Sequence, residues 1–240
     1  MVRRRMIQFV GTAAMVSLAL TGVARPAAAQ QDEKDRIQES LQVLGTLVKT
    51  PDDAIPEYVL DRAEAIVVIP RLVKGGFVLG AEHGRGIMSV RDRATNSWSA
   101  PSFVSMNGGS IGWQIGVQSV DLVLLVMNKE GIDKLLSSEF KFGANASVAA
   151  GPVGRSAQAS TDANLTAEIL AYSRAKGLFA GATIEGASLK DDEDANRKFY
   201  GVAVSPKVIF SNNVPKDRLS SVAAWRGDIA RLLGPGTSSR

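Results

Sequence analysis

Few side chains in this sequence are placed to do covalent chemistry. Ser110 lies in Gly108-Gly109-Ser110-Ile111-Gly112, a match to G-x-S-x-G, the elbow that presents a serine nucleophile between a strand and a helix. The next segment, Gly112 to Val117, is Gly-rich and alternating, which is the pattern of a strand. The serine would also need a base. The only histidine, His83, stands upstream of Ser110, whereas hydrolases with this elbow place the histidine last. A glycine-lined strand is therefore expected at 108–112. With no second His and no Cys, His83 lacks companions for a metal site. Gly84-Arg85-Gly86 lacks the third Gly and the βαβ setting of a dinucleotide fingerprint, and no phosphate-binding P-loop occurs. Asp191-Asp192-Glu193-Asp194 lacks the spacing and the Gly of an EF-hand and reads as a solvated connection. No catalytic residue, metal ligand or cofactor is assigned.

Non-covalent chemistry has more to work with. Arg62, Arg71, Lys74, Arg85, Arg91 and Arg93 crowd residues 62–93, against Glu64, Glu82 and Asp92. Lys74 adjoins Gly75-Gly76-Phe77, and a Gly-rich turn beside basic side chains can cradle a phosphate through backbone N–H groups. The same spacing also fits charges scattered over strand ends. Global charge favours neither reading. The chain carries 28 Lys+Arg against 24 Asp+Glu, with a pI near 9.4. However, Arg3, Arg4, Arg5 and Arg25 fall within residues 1–29, which hold no acid. Without that segment 24 basic residues face 24 acidic ones, and the argument for nucleic acid is withdrawn.

Residues 1–29 read as an export signal. A basic start gives way to an uncharged, mostly apolar Ile7–Val23 and then Ala27-Ala28-Ala29, with cleavage expected after Ala29. Arg4-Arg5 leaves the general and twin-arginine routes both open. The remaining 30–240 is expected to be one domain working in the periplasm or outside the cell. The absence of Cys excludes disulfides and a lipid-modified cysteine anchor.

The elements that would position these groups are α+β. Ile37, Leu41, Leu44 and Val48 form one face of a helix over 31–49, and a short second helix is expected at 56–63. Ala65–Pro70 and Asp121–Met127 are apolar runs of strand length. Further strands are expected at 77–79, 87–90, 98–104, 110–117, 140–148, 165–173, 177–185 and 202–204. Asn128 is placed to cap a helix through Leu136. Leu219, Val222, Trp225, Ile229 and Leu232 mark a C-terminal helix at about 216–233, ended by Gly234-Pro235-Gly236. The fold class expected is a single domain with a mostly antiparallel, Gly-rich or barrel-like sheet, flanked by N- and C-terminal helices.

Four stretches, in this order and spacing, resemble the SYLF domain family. They are Ala65–Pro70 with Lys74-Gly75-Gly76-Phe77 and Gly80; Trp98–Ser102 with Gly109–Gly116; Ala149–Arg155; and Tyr172–Gly181 with Glu185-Gly186. The matching region spans about 37–205. The resemblance implies phospholipid binding, with phosphoinositide preference and actin binding in some eukaryotic members, and no catalytic residues. In eukaryotic members an N-terminal amphipathic helix contributes to membrane contact. Here the matching helix is not basic.

The expected function is therefore an exported, non-enzymatic phospholipid-binding domain at a membrane surface of the cell envelope. Anionic phospholipid is the expected partner, and actin is not expected for an exported protein. Arg71, Lys74, Arg155, Arg174 and Lys176 are the candidate headgroup contacts, and Trp113 and Phe179 the candidate apolar contacts. The alternatives are an interaction module holding an envelope protein without a lipid ligand, and a hydrolase using Ser110 with His83.

Overall fold

The computed structural model describes residues 25–49, 55–76, 79–111, 116–137, 140–153, 167–175, 178–182, 184 and 186–233. Two helices lead in, α1 (Arg25–Lys49) and α2 (Glu57–Arg62). Five strands come next: β1 (Ala65–Gly76), β2 (Leu79–Asp92), β3 (Ser97–Trp98), β4 (Ser102–Ile111) and β5 (Gly116–Val126). After α3 (Lys129–Leu135) come β6 (Val148–Ala150), β7 (Ile169–Ala175), β8 (Leu178–Gly181) and β9 (Ser188–Asp191). The chain closes with α4 (Glu193–Tyr200), α5 (Pro206–Phe210), a single 3-10 turn (Lys216–Arg218) and α6 (Leu219–Leu233).

The nine strands form one sheet in the order β6-β7-β5-β1-β2-β4-β9, with β3 on β2 and β8 on β7. Only β6–β7 is parallel. The sheet curls into a half-barrel, and residues 140–150 run between its two ends. At one end Phe142 N–H donates to Ala187 O (2.9 Å) and Gly186 N–H to Phe142 O (3.1 Å). At the other, Val148–Ala150 pairs with β7.

Both faces of the sheet are buried, which is why β1 and β5 read as unbroken apolar runs. Ile66, Val68, Phe103, Val123, Leu125 and Tyr172 meet the helices. Val67, Ile69, Leu72, Leu122 and Leu124 meet the 140–146 crossing, where Phe140 and Phe142 stack edge to face at 4.8 Å. The α+β half-barrel with helices at both ends agrees with the fold class expected from the sequence.

Several elements differ from expectation. The first strand does not stop at Pro70. Ile69 pairs with Leu122 and Leu72 with Val120, so Pro70 and Arg71 together oppose Asp121 in a β-bulge. A bulge tolerates a residue with no N–H, and the strand continues to Gly76. Of the strands expected at 77–79 and 110–117, Leu79 opens β2, Ser110 and Ile111 end β4, and Gly116 and Val117 open β5, while 77–78 and 112–115 lie outside the described residues. Pro101 divides 98–104 between β3 and β4. Residues 140–147 are mostly turn, with two isolated bridges. Residues 202–204 have no strand pairing, and Val202 is exposed. The acidic run hides β9 and the start of α4. Asn128 does cap α3, its Oδ1 accepting from Gly131 N–H at 2.8 Å.

The buried face of α1 is rotated from the apolar one. Glu33, Arg36, Ser40, Val43, Leu44 and Leu47 are buried, while Ile37 and Leu41 lie at the core's edge. Arg36 offsets the cost of its burial by pairing with Asp192 (3.0 Å) and lying over the Phe103 ring (5.2 Å).

Candidate functional site

The β1–β2 and β7–β8 hairpins turn at one end of the sheet, where β4 also ends and β5 begins, and the β2–β3 hairpin turns at the other. Gly76 pairs with both Gly80 and Gly116, and Leu79 with Ile111, so these ends of β1, β2, β4 and β5 lie side by side. On β7, Arg174 pairs with Asp121, so β7 ends and β8 begins at this same end of the sheet. Beyond the level of Asp121, strands β5, β1, β2 and β4 continue about five residues, roughly 17 Å at the strand rise. Residues 75–81 and 108–117 carry no charge. Val117 is 80% exposed and Val73 45% exposed.

The base of this extension is built on Asp121. Arg71, the second bulge residue, has φ +50°, a left-handed conformation that costs a non-Gly residue of order 1 kcal/mol. Asp121 Oδ1 accepts the Arg71 N–H at 3.0 Å, and Oδ2 accepts from Arg174 Nε at 2.8 Å and from Arg174 Nη2. Arg71 Nη2 pairs with Glu39 of α1 at 2.6 Å, and Lys74 Nζ with the buried Glu82 at 3.1 Å. Arg71, Lys74 and Arg174 thus lie at this end of the sheet, and each has a carboxylate partner. Phe179 is on β8, its backbone paired with Arg174. Trp113, Arg155 and Lys176 lie outside the described residues.

The basic stretch is not one patch. Arg91 donates to Leu60 O and Asp61 O (3.2 and 3.1 Å), and Arg93 to Asp61 O and Arg62 O (both 2.7 Å) and to Glu64. These side chains close the C-terminus of α2, where the helix leaves carbonyls unpaired. Nor do Gly75 and Gly76 form a phosphate cradle, because both are paired into the ladders with β2 and β5. Ser110 is on β4 opposite Gly80, with strand β5 after the connection and no helix, so the nucleophile elbow is absent. His83 Nδ1 is hydrogen-bonded to Asn107 Oδ1 at 2.7 Å.

The acidic run is structural at three of its four positions. Asp192 Oδ1 caps α4 through Ala195 N–H (3.1 Å), and its Oδ2 holds Arg36. Asp194 pairs with Arg197. Asp191 turns inward, accepting from Asn196 Nδ2 at 2.6 Å and from Ser102 Oγ at 3.4 Å. Burial, and then the nearby Glu193, push its carboxyl up to about 6. The folded state therefore holds this proton where the unfolded chain has lost it. Stability accordingly falls as pH rises from about 4 to about 6. We expect Asp191→Asn to remove this part of the profile, so that its melting temperature gains on wild type between pH 4 and 6. Parallel melting curves across that range would contradict this. Asp121, Asn196 and Val117 escaped the sequence reading. A carboxylate heading an otherwise apolar strand is the one signal that pointed to Asp121.

Among the described residues, no group of three or more His, Cys, Asp or Glu side chains is arranged to hold a metal, and no helix is long and apolar enough to cross a membrane.

What the fold and this site define is an α+β half-barrel domain with Val117 exposed beside the uncharged segments at one end of its sheet. Comparison with known proteins gives the particular family. A family model named Ysc84, described as Las17-binding protein actin regulator, matches residues 107–225. Protein YSC84 of Saccharomyces cerevisiae is 37% identical over 191 residues, covering 75% of this chain and 40% of that protein. LAS seventeen-binding protein 3 of the same species is 35% identical, covering 75% and 41%. The human SH3 domain-containing YSC84-like protein 1 is 30% identical over 167 residues, covering 69% and 48%. The chain belongs to the Ysc84, or SYLF, family. It spans less than half the length of these curated relatives. Their names are those of binding and regulatory proteins. They also correct one expectation: actin cannot be set aside as a partner, because the matching family is described as an actin regulator.

Proposed function

We propose that this chain is an exported, non-enzymatic binding domain that lays the hairpin end of its sheet on a phospholipid surface. The exposure of Val117, beside the uncharged segments 75–81 and 108–117, carries the reading. Apolar side chains held out in solvent together mark an interaction site. Arg71, Lys74 and Arg174 stand behind it at headgroup depth, and Trp113, Phe179, Arg155 and Lys176 are further contacts in this proposal. The Arg71–Glu39 pair is the most exposed of the three, and exposed pairs are worth about 0–1 kcal/mol, so a headgroup phosphate can replace that carboxylate at little cost. Apolar contact supplies most of the affinity in this reading, and the dependence on salt is correspondingly weak.

Co-sedimentation of the chain with phospholipid vesicles tests it. Val117→Asp leaves the fold intact, since the side chain already faces solvent. It should weaken vesicle binding about tenfold or more by setting a carboxylate where the tip meets lipid. Equal binding by Val117→Asp and wild type would overturn the proposal. The family description supports a second reading, contact with a protein of the actin machinery. Co-sedimentation with actin filaments, unaffected by Val117→Asp and without vesicle binding, would favour it.

A further inference from the structure

At the opposite end of the sheet from the β1–β2 and β7–β8 hairpins, a cavity of about 310 Å³ opens between β2, β4, β9, the C-terminus of α3 and α5. That volume is at the lower end for small-molecule sites, and barrel mouths are a preferred place for them. Ser102, Ser137 and three charged residues supply the polar part of its wall, and the apolar part is Met88, Val104, Leu135, Leu136, Leu189 and Phe210. Most of these belong to the core on the enclosed face, so the cavity is an unfilled extension of that core.

One polar group is fixed in this wall. Asp191 Oδ1 is held by Asn196 Nδ2 at 2.6 Å and faces Ser102 Oγ at 3.4 Å. Asn196 is fully buried and locked in turn, accepting from Phe103 N–H at 2.9 Å and donating to Phe103 O at 3.1 Å. No hydrogen bond reaches Asp191 Oδ2 from the described residues. The carboxylate is thus preoriented, with one oxygen uncommitted. The other charged groups on the lining are Lys190 and Glu193, so two carboxylates stand against one ammonium. Asp192, next along the chain, faces Arg36 instead.

We infer that this cavity binds a small amphiphile with a short hydrocarbon chain and a protonated primary amine, the ammonium donating to Asp191. The apolar wall takes the chain, and the net negative rim selects a cation over an anion. A charge-assisted hydrogen bond at the edge of a low-dielectric cavity favours the ammonium over a neutral head. The site lies on different residues from the proposed vesicle contact and does not depend on it. Because burial first, and then Glu193 and Asp192, push the Asp191 carboxyl up to about 6 against the lowering by Ser102 and Asn196, binding should weaken below about pH 6.

Calorimetric titration of the full chain at pH 7.5 with octylamine, octanol and octanoate tests the assignment. Octylamine should bind best, with octanoate about tenfold or more weaker. Asp191→Asn keeps an oxygen for Asn196 and should reduce octylamine about tenfold, to the level of octanol. Leu136→Trp, which fills the cavity from its half-exposed rim, should abolish binding of both. Val117→Asp should bind octylamine as wild type does, which separates this site from adventitious amphiphile binding at the hairpin end. Equal affinity for octylamine and octanoate, no octylamine binding at millimolar concentration, or octylamine binding unchanged in both Asp191→Asn and Leu136→Trp would overturn it.

Discussion

Replacing Gly86 by alanine should unfold this protein at a markedly lower temperature. Gly86 is on β2 beside the β1 bulge, where the two backbones close on each other. A Cβ at this position would sit 2.0 Å from Val68 O and 2.9 Å from Ile69 Cα. Both are main-chain atoms in the centre of the sheet, with no side chain free to swing away. The strand must shift or the ladder must open. Overpacking usually costs about 1–3 kcal/mol, and a backbone obstacle puts this case at or above the top of that range. At ~2–4 °C per kcal/mol for a chain of this size, the melting temperature should drop by roughly 6–12 °C or more. Gly227→Ala is the matched control. It lies inside α6 with nothing within 4 Å of the added Cβ, so helix propensity alone should raise stability by about 0.5–1 kcal/mol. Thermal unfolding of the pair by circular dichroism decides the matter. Equal melting temperatures would mean that the sheet at Gly86 is looser than this close approach requires.

Asn196→Ala should cost about 2–4 kcal/mol, for a different reason. Asn196 is fully buried and joins α4 to β4. Its Oδ1 accepts the Phe103 N–H, and its Nδ2 donates to Phe103 O and to Asp191. Alanine leaves a buried N–H and C=O without these partners, along with a carboxylate that has lost its shortest hydrogen bond. Asn196→Asp is the sharper variant. It keeps the acceptor for Phe103 N–H but cannot donate when ionised, and it adds a second negative charge beside Asp191. We expect Asn196→Asp to be less stable than wild type at pH 7 and to recover as pH falls and one carboxyl takes up a proton. Urea denaturation at pH 5 and pH 7 reads both variants. A loss for Asn196→Ala under about 1 kcal/mol would show that water replaces the amide and that α4 is not fastened there.

How far the sequence could be read depended on the range of the interactions concerned. The apolar runs of β1 and β5 announced buried strands because their neighbours on both faces are apolar. Asn128 announced the start of α3 because a cap acts across three residues. In α1, by contrast, periodicity pointed to Ile37 and Val48, while the packed face includes Glu33, Arg36 and Ser40. Nothing local to Arg36 reveals Asp192, 156 residues away. The basic residues were legible as types but not as sites. Arg91 and Arg93 commit their donors to the end of α2, and Arg71, Lys74 and Arg174 have carboxylate partners.

By itself, the sequence determined the class of fold, the family, the lack of thiol chemistry and the strand-like character of the Gly-rich segments. All of these rest on composition or on patterns within a few turns or strands. Only the tertiary structure decided which polar groups meet. Asp121 reaches the Arg71 N–H across 50 residues, and Asn196 reaches the Phe103 N–H across 93. It also decided that the β1–β2 and β7–β8 hairpins share one end of the sheet and that Asp191 turns into a cavity at the other. Hydrophobic burial is non-directional and leaves its period in the chain. A hydrogen bond or ion pair is directional and short in reach, and it acquires a partner only when the sheet's curl brings distant segments within about 3 Å.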